Sequence, residues 1–224
     1  MPDPAPPGLT IDIVSDVVCP WCYVGKRRLE AALDLLAARE PALRPVVNWH
    51  PFQLNPDLPA EGVDRRAYLE AKFGGAAGAA QVYDRVRAAG AAAGIAFAFE
   101  RIARQPNTLD AHRLIAWAQA RGGGEAMVER LFRAYFLEGL YVGDREVLAA
   151  LAGEAGLDEG AARAHLASGL GAEAVAAMDR RARELGIEGV PFFIFNQRVA
   201  LSGAQEPGTL LAAIDESRDS RPRD

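Results

Sequence analysis

An α/β fold interrupted by an all-α helical insertion is what the sequence predicts, and three observations carry it. Strand-like, β-branched segments stand at both ends of the 224-residue chain. A helical period begins directly after the first of them. The long middle is a succession of capped, amphipathic helical segments with no strand signal between them.

Leu9 to Val18 is β-branched throughout its centre and reads as a buried strand. The helix that follows starts at Pro20, whose fixed φ and missing N–H suit a first helical position, and Leu29, Ala32, Leu33 and Leu36 form its inner face. Val46, Val47, Trp49 and Phe52 predict a second strand, closed by the prolines of Asn55-Pro56-Asp57-Leu58-Pro59. From about Val63 to Leu185 the signals are helical. Asp64 caps a helix ending before Gly74-Gly75, Asn107 with Asp110 resembles a capping pair, and Asp144 and Asp158 each open a further helix. Phe192–Phe195 and Arg198–Leu201 then flank Asn196-Gln197, a two-residue hairpin turn because Asn tolerates positive φ. A last helix is expected from about Glu206 to Glu216, with Leu210, Leu211 and Ile214 inward.

Composition bounds the function. Half the residues are hydrophobic and a quarter charged, enough for a real core. A net charge of −5 argues against nucleic acid as a partner, because phosphate binding needs clustered cations. No apolar run approaches the ~20 residues of a membrane span, so no membrane partner is expected. The first eight residues lack a cationic and apolar leader and, like the charged stretch from Ser217 to Asp224, read as a disordered arm. A cytoplasmic location is the expectation that follows. Monomer and homodimer both remain open.

The chain has two cysteines, Cys19 and Cys22, in Cys19-Pro20-Trp21-Cys22. In a reducing compartment that spacing points to thiol–disulfide chemistry. Cys19 falls where the strand ends and the helix begins, so its sulfur faces unpaired N–H groups and the positive end of the helix dipole, which favour thiolate. Cys22 lies about one turn on, facing inward, within reach of a mixed disulfide. A purely structural disulfide is the competing reading, but so tight a ring contributes only about 2 kcal/mol. A metal site is a poorer one, since a structural zinc needs four ligands and His50, His112 and His165 show no ligand spacing. Each of those histidines is expected at the surface or in a cap. Gly189-Val190-Pro191, placed before an aromatic strand, is a candidate cis peptide bond, although trans is the commoner isomer. A cis bond would turn the Val190 N–H and C=O toward the site, where an extended substrate can pair.

The runs Ser15-Asp16-Val17-Val18-Cys19-Pro20-Trp21-Cys22-Tyr23-Val24-Gly25-Lys26-Arg27, Asn107-Thr108-Leu109-Asp110-Ala111-His112-Arg113-Leu114, Gly189-Val190-Pro191-Phe192-Phe193 and Val199-Ala200-Leu201-Ser202-Gly203-Ala204-Gln205 resemble the DsbA-like FrnE family of oxidoreductases. The resemblance implies a thioredoxin fold with residues 9–56 and 186–217 in the thioredoxin-like domain and 57–185 in a helical domain covering the active-site face. It implies a nucleophilic Cys19, a resolving Cys22 and a cis-proline at Pro191. Pro20, Trp21, Val190, Asn107 and His112 are then expected to line the substrate cleft. Asp12 is expected to help move the proton of Cys22. No bound cofactor is implied beyond a redox-active Cys19–Cys22 disulfide, with glutathione as a conceivable co-substrate and protein or small thiols as partners. Periplasmic DsbA proteins carry His where this chain has Trp21, so strong oxidising power is not expected here. The kappa-class glutathione transferases and 2-hydroxychromene-2-carboxylate isomerases look similar but typically have Ser at the position of Cys19. A glutathione-dependent isomerase or transferase is therefore the alternative reading.

Overall fold

The computed structural model describes residues 8–219. Its four-stranded sheet has the order β2-β1-β5-β6. The first strand, β1 (Thr10–Ser15), runs parallel to β2 (Val46–Pro51) and antiparallel to β5 (Phe192–Phe195), which pairs in turn with β6 (Val199–Ser202). The strand predicted to reach Val18 stops at Ser15. A turn closed by the Cys19 amide donating to the Asp16 carbonyl leads into α1 (Pro20–Arg39), which returns the chain to β2.

Period two divides the sheet residues between two faces. Ile11, Ile13, Phe193 and Phe195 are buried in the main core with Leu29 and Leu36 of α1 and Leu210 and Ile214 of α9 (Pro207–Arg218). Val14 and Phe192 face the other way, into a smaller cluster with Phe52, Ala182 and Ile187. The β5–β6 turn is the predicted one, with Asn196 at φ 50° and Gln197 at φ 55°. Asn196 also accepts the Thr10 N–H through its Oδ1 at 2.8 Å, pinning the register of β1.

The middle of the chain holds α2 (Arg65–Phe73), α3 (Ala76–Ala92), α4 (Leu109–Gln119), α5 (Gly124–Arg133), α6 (Arg145–Glu154), α7 (Glu159–Ser168) and α8 (Ala172–Glu184). Asp64, Asp144 and Asp158 cap α2, α6 and α7 with side-chain oxygens, and Gly74 ends α2 in the left-handed conformation.

Three expectations need correction. The middle is not free of strands, because Val63–Asp64 (β3) and Arg104–Gln105 (β4) form a short antiparallel ladder. Thr108, not Asn107, is the residue preceding α4. Finally, α9 continues to Arg218, with Ser217 buried and Arg218 paired to Glu40 at 2.7 Å, so the tail begins later than expected. The arm before Gly8 and the remainder of the tail lie outside the described residues. Among the described residues no helix is long and apolar enough to cross a membrane.

Candidate active site

Cys19 is the residue that precedes α1, in extended conformation, with Pro20 at the first helical position. Both cysteines are buried free thiols. The Cys22 amide donates to the Cys19 carbonyl at 3.0 Å, closing the first turn around the motif. Trp21, 37 % exposed, forms an aromatic rim beside them.

The Val190–Pro191 peptide bond is cis. It lies against the motif, since the Cys19 thiol donates to the Val190 carbonyl oxygen at 3.5 Å. Gly25, one turn beyond Cys22, permits this approach. A Cβ there would stand 2.9 Å from Pro191 Cγ and 3.1 Å from the Phe193 ring, and neither ring can yield far.

Burial first, and then the neighbouring Cys19 sulfur, push the Cys22 thiol well above the ordinary cysteine range. The Ser15 hydroxyl and the Asp16 backbone act in the opposite direction by hydrogen bonding to it. Asp12 is differently placed. It alternates with Ile11 and Ile13, so it belongs to the sheet face opposite Ser15, and its Oδ1 accepts from Asn48 at 3.0 Å and meets His50 Nε2 at 2.9 Å. Asp16 meets Cys22 through its backbone, and its carboxylate turns toward the helical segment. It is fully buried, accepts the Leu54 amide at 2.8 Å, and faces buried His112, whose Nε2 is 3.4 Å from Asp16 Oδ1. Neither of those two facing atoms has a hydrogen-bond partner.

None of the three histidines is a plain surface residue. His112 is buried, His50 pairs with Asp12, and His165 stacks on Trp117 with its imidazole held neutral by burial and by the Arg113 cation. Asn107 does not line the cleft at the sulfurs. Its amide donates to the Leu58 carbonyl at 2.8 Å and accepts from Leu109 N–H at 3.0 Å, fastening the proline loop to the start of α4.

A cavity of about 220 Å³ opens against Cys19, walled by Trp21, Asn55, Tyr68, Lys72, Tyr83 and Gln105 among others. Behind it sits Arg65, 3 % exposed. Arg65, Tyr83 and Gln105 belong to no motif in the sequence. One cue was available for Arg65, because a cation in the first turn of a helix opposes the dipole and needs a reason to be there.

Residues 10–215 match the family model described as the DSBA-like thioredoxin domain. A probable DsbA oxidoreductase from Streptomyces coelicolor superposes with a TM-score of 0.83 at 34 % identity, covering 96 % of this chain and 92 % of that one. The cytosolic disulfide reductase DsbM from Pseudomonas aeruginosa, solved with GSH, superposes with a TM-score of 0.62 at 26 % identity over 93 % of this chain and 95 % of its own. The uncharacterized protein YwbO of Bacillus subtilis is 27 % identical over 213 residues, 93 % of this chain and 97 % of YwbO.

Proposed function

Since this chain belongs to the DSBA-like thioredoxin domain family, we propose that it is a thiol–disulfide oxidoreductase working through Cys19 and Cys22 on protein or small-molecule substrates. The observation that carries this reading is the contact of the Cys19 sulfur, at the N-terminus of a twenty-residue helix, with the Val190 carbonyl. That arrangement sets an attacking sulfur beside a backbone segment able to hold an extended substrate.

The chemistry follows in two displacements. Cys19 thiolate attacks one sulfur of a substrate disulfide, forming a mixed disulfide and expelling the other sulfur as thiolate, which takes up a proton. Cys22 then loses its proton and attacks the Cys19 sulfur, closing the Cys19–Cys22 disulfide and releasing the reduced substrate. Two electrons pass from the protein dithiol to the substrate, and the reverse sequence donates a disulfide. The second step needs a proton acceptor, because Cys22 is buried and held protonated. We assign that role to Asp16 with His112, reached through the Ser15 hydroxyl, in place of Asp12. Ser15 and His112 share the wall of a cavity of about 320 Å³ that provides the proton's way out.

Trp21 in place of a cation between the cysteines supports a moderate reduction potential, suited to reduction or isomerisation in a reducing cytosol. The P. aeruginosa relative is described as a cytosolic disulfide reductase with GSH, which supports both that compartment and glutathione as a co-substrate. Reduction of insulin disulfides in the presence of dithiothreitol tests the reading. Activity falls to the uncatalysed rate in Cys19→Ser and in Cys22→Ser. Glutathione-dependent turnover that survives Cys22→Ser would point instead to isomerase or transferase chemistry.

A further inference from the structure

The cavity against Cys19 has no aspartate or glutamate in its wall. Two cations stand at its back and rim, and both are tied to neutral partners. Arg65 donates from Nη2 to the Tyr83 hydroxyl at 2.9 Å, and from Nη1 to the Tyr135 hydroxyl at 2.8 Å and to Gln105 Oε1 at 3.1 Å. Lys72 donates to the Tyr68 hydroxyl at 2.8 Å. Neither forms an ion pair among the described residues. For a residue as buried as Arg65 this is unusual, because a buried guanidinium is normally matched by a carboxylate. Asp16, which acts on Tyr135 from the far side, is already engaged by the Leu54 amide and faces His112.

These bonds fix which way the wall is polarised. The Tyr83 oxygen accepts from Arg65, leaving its O–H to donate, and burial keeps that phenol protonated. Gln105 Oε1 accepts from both Arg65 and Tyr135, leaving its NH2 to donate. Asn55 Oδ1 accepts from Tyr68, which itself accepts from Lys72, so the Asn55 NH2 is the free group. Each chain begins at a cation and ends in a donor on the cavity wall.

We propose that this cavity is a carboxylate-accepting subsite, which takes the anionic arm of a thiol or disulfide while its sulfur meets Cys19, with Arg65 and Lys72 setting the preference. The proposal rests on the exchange reading and names its substrate class. About 220 Å³ is smaller than a typical drug-sized pocket and suits one residue-sized arm. The carboxylate can come from a free thiol compound or from an acidic residue beside a protein cysteine. The whole chain, at net −5, repels anions, so a preference for them can only be local.

The test compares kcat/KM for oxidised glutathione (anionic), 2-hydroxyethyl disulfide (neutral) and cystamine (cationic). Each value is divided by that disulfide's rate with free dithiothreitol to remove intrinsic reactivity. The expected order is anionic over neutral over cationic, with at least a tenfold span that shrinks with salt. Lys72→Glu, in the exposed last turn of α2, collapses the span severalfold, and Arg65→Met does so while Arg65→Lys retains most of it. Equal normalised values in the wild type, or a Lys72→Glu variant that leaves the span intact, overturns the subsite alone. Turnover of none of the three overturns the exchange reading and the subsite with it. A parallel pair of disulfide-linked cysteine peptides, flanked by Glu or by Lys, distinguishes the sources. A larger acidic-to-basic ratio with peptides assigns the arm to proteins, and a larger one with the small disulfides assigns it to free thiols.

Discussion

Burial and the adjacent Cys19 sulfur keep the Cys22 thiol protonated in the folded protein at pH values where an unfolded cysteine ionises. For an acid raised on folding, the native state gains no penalty below the unfolded value. Stability then falls as pH rises from about 8.5, because only the unfolded chain releases the proton, until the folded thiol ionises as well. Urea melts between pH 8 and 9.5 therefore show a decline in the wild type, up to about 1.4 kcal/mol per pH unit, that is shallower in Cys22→Ala. Equal slopes would mean that the thiol is not held as described. At this scale the cysteines and Pro191 were legible because their chemistry sits at fixed spacing or in a rare residue type. Asp12 was misread since strand parity, which puts it on the face opposite Ser15, weighed less than its nearness in sequence. Asp16 was visible as an acid near the site, but its pairing with His112 was not, and Arg65 and Tyr83 were hidden because their roles depend on partners distant in the chain.

Helix ends were the most readable elements. Asp64, Asp144 and Asp158 satisfy N–H groups two or three residues on, a local bond that a sequence carries entirely. Two-residue strands have no period to detect, so β3 and β4 were invisible, and so was the bond from the Gln53 amide to Asp179 that ties α8 to the loop after β2. Long-range capping was equally hidden. Buried Arg113 of α4 donates to the Leu166, His165 and Leu170 carbonyls at the end of α7, and also binds Asp110. These are carbonyls that a helix C-terminus leaves unpaired. Arg113→Met leaves the buried Leu166 carbonyl without this donor and loses the ties to Leu170 and Asp110, costing about 3 kcal/mol, read as a lower urea midpoint with an unchanged m value. A variant as stable as wild type would show that water replaces the guanidinium at Leu166.

Across the molecule, strand-bearing ends and a helical middle were legible as separate regions, but their union was not. One hydrophobic cluster runs from Ile11 and Phe193 of the sheet through Tyr23 of α1 to Leu114, Leu131 and Leu148 of the helical segment. The Tyr23 ring stacks on Phe132 with centroids 5.0 Å apart. Buried Lys26 adds an ionic tie from α1 to Glu125 and Glu129 of α5, at 2.8 and 3.1 Å. Burial opposes the charge on Lys26, but the surrounding carboxylates hold it firmly protonated. Shared packing of this kind predicts one cooperative thermal transition reported alike by tryptophan fluorescence and far-ultraviolet circular dichroism. Two separated transitions would show that the helical segment unfolds independently.

The division of labour between the sulfurs is the claim on which the rest depends, and trapping the mixed disulfide tests it most directly. Cys22→Ser incubated with oxidised glutathione accumulates a dithiothreitol-reversible adduct, mapped by peptide mass spectrometry to Cys19, because the resolving thiol is missing. Cys19→Ser under the same conditions leaves Cys22 buried and essentially unmodified. An adduct forming on Cys22 as fast as on Cys19, or no adduct on Cys19 at all, would contradict the account.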